Sequence, residues 1–245
     1  MMSIKKSIFA NKNFLKVTSI NYFLVGLKII VGFLLIPFLL QTLGKERFGV
    51  WQTLLSIATM ASVLNFGLGN GLRNFISKSL VLKTNNLGSF IGTVFLKLSK
   101  ILFFIFLIGV PLLFIYINPE FLFLNLSINT VEIKISIIIF LSFFLLNTLF
   151  SLSDSIAFGF HKSYIPNAIQ LLYFAISLFL CYFLSTYQEL NLINTSIIFG
   201  GTLFVLYLVS ILYLNKKFKL KINFFEKVDI KKINNTSFLF FIAQA

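Results

Sequence analysis

The chain has 245 residues, 58% of them hydrophobic and only 11% charged, with a formal net charge of +14 and a mean hydropathy of +0.95. Soluble domains carry about 25% charged and about 45–50% apolar residues, so the composition excludes an ordinary soluble enzyme and points to an integral membrane protein. A single cysteine, Cys181, and a single histidine, His161, exclude a disulfide framework and leave a His/Cys metal site almost without ligands.

The positive charge would suggest nucleic acid in a soluble chain. In a membrane protein it is explained by topology, because basic residues collect in the loops on the cytoplasmic side. No nucleic-acid partner, metal or cofactor is therefore expected.

A spanning helix needs about 20 mostly apolar residues. In chain order, a cytoplasmic segment at 1–16 leads into six stretches that qualify: roughly Val17–Leu40, Val50–Phe66, Val94–Ile117, Ile135–Leu152, Ala168–Ser185 and Thr195–Leu214. The first is too long for the apolar region of a cleavable signal and lacks a small-residue cleavage site. With the amino terminus inside, the inner segments hold Lys5, Lys6, Lys12 and Lys16, then Arg73, Lys78 and Lys83, then Lys97, Lys100 and Lys162, and finally a cluster that starts at Lys216. The outer segments hold only Lys45, Arg47 and Lys134. This asymmetry predicts an amino terminus in the cytoplasm. Residues 17–214 form a transmembrane lobe, and 215–236, "NKKFKLKINFFEKVDIKKINNT", a basic cytoplasmic loop.

An apolar run, "SFLFFIAQA", occupies 237–245. It is too short to span, and it reads as the truncated start of a seventh helix or as a short amphipathic tail. The expected fold class is thus all-α: a polytopic membrane helical bundle of six transmembrane helices in one lobe, plus the start of a seventh. The loops leave no room for a soluble catalytic domain, so no enzyme activity is expected. A membrane glycan polymerase or acyltransferase would need a large outer loop with catalytic side chains.

"NFGLGNGLRN", residues 65–74, places three glycines at every second position. Phosphate-cradling glycine loops follow a strand and open a helix in a soluble α/β unit. This stretch follows a membrane helix. Glycine breaks helices and allows close backbone approach, so residues 67–71 are expected to separate the second span from a short helix at about Arg73–Leu82. They either stop the helix and pack closely or line a wet cavity.

With these glycines and their neighbours, "LIPFLLQTLGKERFGVWQTLLSIATMASVLNFGLGNGLRNFIS" resembles the opening of the polysaccharide flippases, the O-antigen (Wzx-like) translocases. That family belongs with the MATE transporters and the lipid II flippase in one superfamily. The resemblance rests on Pro37, Leu43, Gly44, Phe48 to Trp51 and "GLGNGLRN", and in detail covers roughly residues 17–100. Many members carry Asp where this chain has Asn65, which puts a carboxylate role there in doubt. Members also have two similar lobes around a central cavity, and this chain has helices for one.

The resemblance implies a lobe that works by alternating access on an undecaprenyl-pyrophosphate-linked oligosaccharide, in O-antigen or surface polysaccharide synthesis. It implies a bacterial inner membrane, surrounding lipid, and a missing carboxy-terminal lobe as partner. A cation-coupled drug or solute exporter of the same superfamily is the alternative. A membrane assembly subunit without transport is another.

A flippase breaks no bonds; it hides a charged head group from the membrane interior. An ionisable residue within a span costs about 2.5–3.5 kcal/mol on insertion scales and is a functional candidate by default. Lys28 lies near the middle of the first span, with Asn21 seven residues earlier on the same face. It either attracts an anionic substrate from a cavity wall or pairs within the lobe to a carboxylate or carbonyl.

Gln52, Ser56, Thr59 and Ser62 repeat along one face of the second span, and Asn147, Ser151 and Asp154 along the fourth. Both faces suit a polar interior or interhelical hydrogen bonding. Asp154 is a candidate proton or cation site, with Asn147, Gln52 and Asn65 as possible companions. Arg73 can grip phosphate with its planar fork. Lys97 and Lys100 either snorkel to lipid phosphates or form an approach ramp for a phosphorylated substrate.

Overall fold

The computed structural model describes residues 2–61, 67–82, 87–116, 128–220 and 222–224. All the regular structure described is α-helical: α1 Met2–Ala61, α2 Leu68–Leu82, α3 Leu87–Tyr116, α4 Thr130–Phe150, α5 Leu152–Gly159, α6 Tyr164–Ser185 and α7 Leu192–Phe218. Among the described residues five stretches are long and apolar enough to cross a membrane: Val17–Met60, Leu87–Gly109, Thr130–Gly159, Tyr164–Ser185 and Leu192–Phe218. Residues 237–245, most of the basic loop at 215–236, Ser62 and Asn65 lie outside the described residues.

The first two predicted spans are joined into α1, where the sequence suggests a polar loop. Its one non-helical residue is Gly44, at φ 77 and ψ 165, and the helix kinks there. Those angles belong to a region that only glycine enters without strain. Lys45, Glu46 and Arg47, a loop signal by charge, are good helix formers and continue the helix. The limbs on both sides of Gly44 feed one core cluster: Leu39 and Leu43 from the first, Val50, Trp51 and Leu54 from the second. Trp51 is fully buried, with Phe140 edge-on at 5.5 Å and Phe199 at 4.9 Å between ring centroids.

The glycine stretch also differs from expectation. Gly67 alone has a positive φ, 67°, and α2 starts immediately after it, so Gly69 and Gly71 are helical and buried. The Gly71 amide donates to the Gly67 carbonyl at 2.9 Å and closes the first turn over it.

Two pairs of spanning helices, α1 with α6 and α4–α5 with α7, lie parallel. Asn21, Lys28 and Phe38 of α1 meet Ser163, Gln170 and Tyr182 of α6 in the same order. Glu132, Asn147 and Asp154 meet Leu192, Gly200 and Tyr207 of α7 in the same order. The second pairing is close because Gly200 has no side chain: a Cβ there would lie 2.5 Å from Phe143. The short helix α2 packs on α5 in the same manner, with Gly159 against Ile76. A second core cluster forms there, from Leu72, Ile76, Val94, Ile156, Ala157 and Leu214 among others. Away from these cores, Phe23, Phe33, Phe103, Phe104 and Phe179 are exposed, as side chains turned toward lipid are.

Asparagine caps fix where two spans start. The Asn129 side chain accepts from the Val131 amide, and Asn191 accepts from Asn194 at 2.8 Å. Each satisfies an amide that the helix itself leaves open.

Candidate functional site

Lys28 and Asn21, the proposed cationic wall, both face the first turns of α6. The Lys28 ammonium donates to the Gln170 side-chain oxygen at 2.8 Å. Asn21 donates to the Ser163 hydroxyl at 2.6 Å and accepts from the Asn167 amide at 3.1 Å. Ser163, Asn167 and Gln170 recur at i, i+4 and i+7, one stripe of α6, just as Asn21 and Lys28 share one stripe of α1. Two helices thus meet along a polar seam within otherwise apolar spans. The described partner of Lys28 is a neutral amide, so its charge is held in place and not cancelled.

Asp154, in the first turn of α5, is held elsewhere. Its Oδ2 accepts from the Tyr207 hydroxyl at 3.2 Å, and its Oδ1 is buried without a hydrogen-bond partner. An acid in a helix's first turn is favoured by the helix dipole. Asn147, two turns earlier in the same span, donates to the Gly200 carbonyl at 3.2 Å, and its own Oδ1 is also unpartnered. Asn147 borders a cavity of about 260 Å³ between α1, α4, α6 and α7, with Thr59, Phe143, Tyr173 and Gly200 among its walls. A second cavity, about 310 Å³, lies between α3 and α4, lined by Ser99, Phe103, Phe106, Ser142 and Leu149 with others.

The other predicted residues that the structure describes lie apart from these two groups. Gln52 is half-buried, and Ser56 and Thr59 are exposed with their hydroxyls bonded back to carbonyls of their own helix. Arg73 is exposed on α2, its guanidinium 5.0 Å from the centre of the Phe158 ring. Lys97 is half-buried and Lys100 exposed on α3. The structure thus brings Lys28 and Asn21 to one seam, and Asp154 and Asn147 to the α4–α5/α7 contact. Arg73, Lys97 and Lys100 join neither.

Sequence reasoning passed over Gln170, Asn167, Ser163, Tyr207 and Glu132. The i, i+4, i+7 spacing of the three polar residues on α6 was available as a signal. Glu132 also had one: Asn129 and Glu132 have the spacing of a capping box. In the structure Glu132 reaches outward. It accepts from Arg47 Nε at 2.9 Å, from Arg47 Nη2 at 3.1 Å and from the Leu192 amide at 3.0 Å. It thereby fastens the starts of α4 and α7 to the segment just past the Gly44 kink. Among the described residues, no group of three or more His, Cys, Asp and Glu side chains is placed to hold a metal ion.

No known protein family matches the chain, and neither a curated protein nor a solved structure does so. By helix length and apolar composition it is a multi-pass helical membrane protein with five candidate spans among the described residues.

Proposed function

We propose that the chain is one lobe of a transporter that moves a lipid-linked oligosaccharide, of the undecaprenyl-pyrophosphate type, across a bacterial inner membrane by alternating access. In this reading Val17–Met60 crosses twice around Gly44, the amino terminus is cytoplasmic, and a second lobe closes the cavity. The substrate is carried without breaking a bond. The flippase resemblance at residues 35–77 supports the substrate class, and the polar face at Gln52, Ser56 and Thr59, with Ser56 and Thr59 exposed, suits contact with another protein lobe.

The observation that carries the reading is the Lys28 ammonium within a membrane span, 2.8 Å from a neutral amide oxygen. A cation kept at such a cost and left uncancelled by its described partner suits attraction of an anionic head group. Lys28→Ala, in the complete transporter, is expected to lower surface-glycan export at least tenfold, the effect of removing one charge-assisted contact, with protein abundance unchanged. Export at the unmodified level would end the proposal.

Asp154 favours a second reading, a cation-coupled exporter of the same superfamily. Its Oδ1, buried without a partner beside Tyr207, suits a proton or small cation. Asp154→Asn with retained glycan export but lost drug or solute export would favour that alternative.

A further inference from the structure

Lysine carries three N–H donors and no acceptor. The Gln170 atom 2.8 Å from Lys28 Nζ is therefore its amide oxygen, and the orientation of this amide follows from chemistry. Its NH2 group faces away from the ammonium. Among the described residues one ammonium proton is engaged, by Gln170, which leaves two, and the Gln170 NH2 adds two more. Together the two side chains offer four N–H donors and one positive charge, while the amide oxygen is turned inward onto Lys28. Such a surface repels cations and is wasted on an apolar solute. It matches the oxygens of a phosphoryl group, which accept several charge-assisted hydrogen bonds at once.

The alternative is simple helix adhesion, and for adhesion a glutamate would serve better. The same carbon skeleton bearing a carboxylate would give a closed ion pair. The amide holds Lys28 in position and leaves its charge available.

We infer that Gln170 is the second half of an anion site built on Lys28, and that the two residues together take the phosphoryl oxygens of a diphosphate. The inference rests on the transport reading above and adds to it a residue that contacts the substrate. Asn21, Asn167 and Ser163 extend the same seam toward the start of α6 and keep the two helices in register.

The test is pyrophosphate binding to the full chain in detergent micelles, with thermal unfolding followed in parallel. Lys28→Met, Gln170→Glu and Gln170→Met are compared with the unmodified chain. Gln170→Glu is expected to weaken pyrophosphate binding by about tenfold or more, as Lys28→Met does, while its Tm is unchanged or higher. Gln170→Met, which keeps the charge but removes the amide, is expected to weaken it about threefold to tenfold. If both Gln170 variants bind like the unmodified chain while Lys28→Met loses binding, the role of Gln170 is overturned and the transport reading stands. If Lys28→Met binds like the unmodified chain, or if the unmodified chain binds no pyrophosphate, both fall. Displacement of pyrophosphate by an equal concentration of phosphatidylglycerol would assign the site to a lipid head group and overturn the diphosphate assignment.

Discussion

Glu132 and Lys28 are both charged groups on apolar helices, and the protein treats them in opposite ways. Glu132 is met by a guanidinium and by the open amide at the start of α7, and three hydrogen bonds join three segments. Among the described residues Lys28 is met by one amide oxygen. A charge matched by an opposite charge and a helix terminus serves architecture, because breaking such a set strands the partners. A charge matched only by a dipole retains attraction for something else. The contrast separates a fastening from a binding surface without reference to any relative.

The comparison is tested first where the largest loss is expected. Glu132→Ala leaves Arg47 and the Leu192 amide without their acceptor and should cost about 3 kcal/mol, the usual range for bonds to a charged group, seen as a lower Tm in detergent. An unchanged Tm would remove Glu132 from the fastening. Gly200→Ala should follow at about 2 kcal/mol, from overpacking against Phe143. Because Gly200 also borders the cavity beside Asn147, that variant asks whether the α4–α7 contact is as rigid as its geometry implies. The smallest effect is expected at the seam. Asn21→Ala should cost about 0.6 kcal/mol for each hydrogen bond lost, the average measured within membrane bundles. A loss as large as that of Glu132→Ala would erase the distinction between the two regions.

Long apolar runs were legible as spans because hydropathy reports the centre of a membrane helix directly. Their ends were less so. The third helix starts at Leu87, seven residues ahead of Val94 where the apolar run begins, because Gly88, Ser89, Gly92 and Thr93 lower the hydropathy of first turns that the fold nonetheless buries almost all round. The charges around Gly44 suggest a loop, yet helix propensity carries the backbone through all but one residue. By sequence Gly69 and Gly71 belong to a break. Tertiary packing of α2 against α5 overrides their poor propensity and keeps them helical. Lys28 was singled out by its cost in lipid, a local property. Gln170 was not, since it lies 142 residues away and only the parallel pairing of α1 with α6 brings it near. Asp154 was visible on the same ground as Lys28, but Tyr207 required the register of α4 and α5 against α7.

Cys181 sits fully buried in the core cluster that also holds Leu39 and Trp51, and it is the chain's one thiol. The solvated thiolate is the nucleophile that attacks thiol reagents, so the native chain should be chemically silent toward them while folded. Any single cysteine introduced along the seam would then report alone, and the onset of labelling at position 181 itself would time the opening of the core.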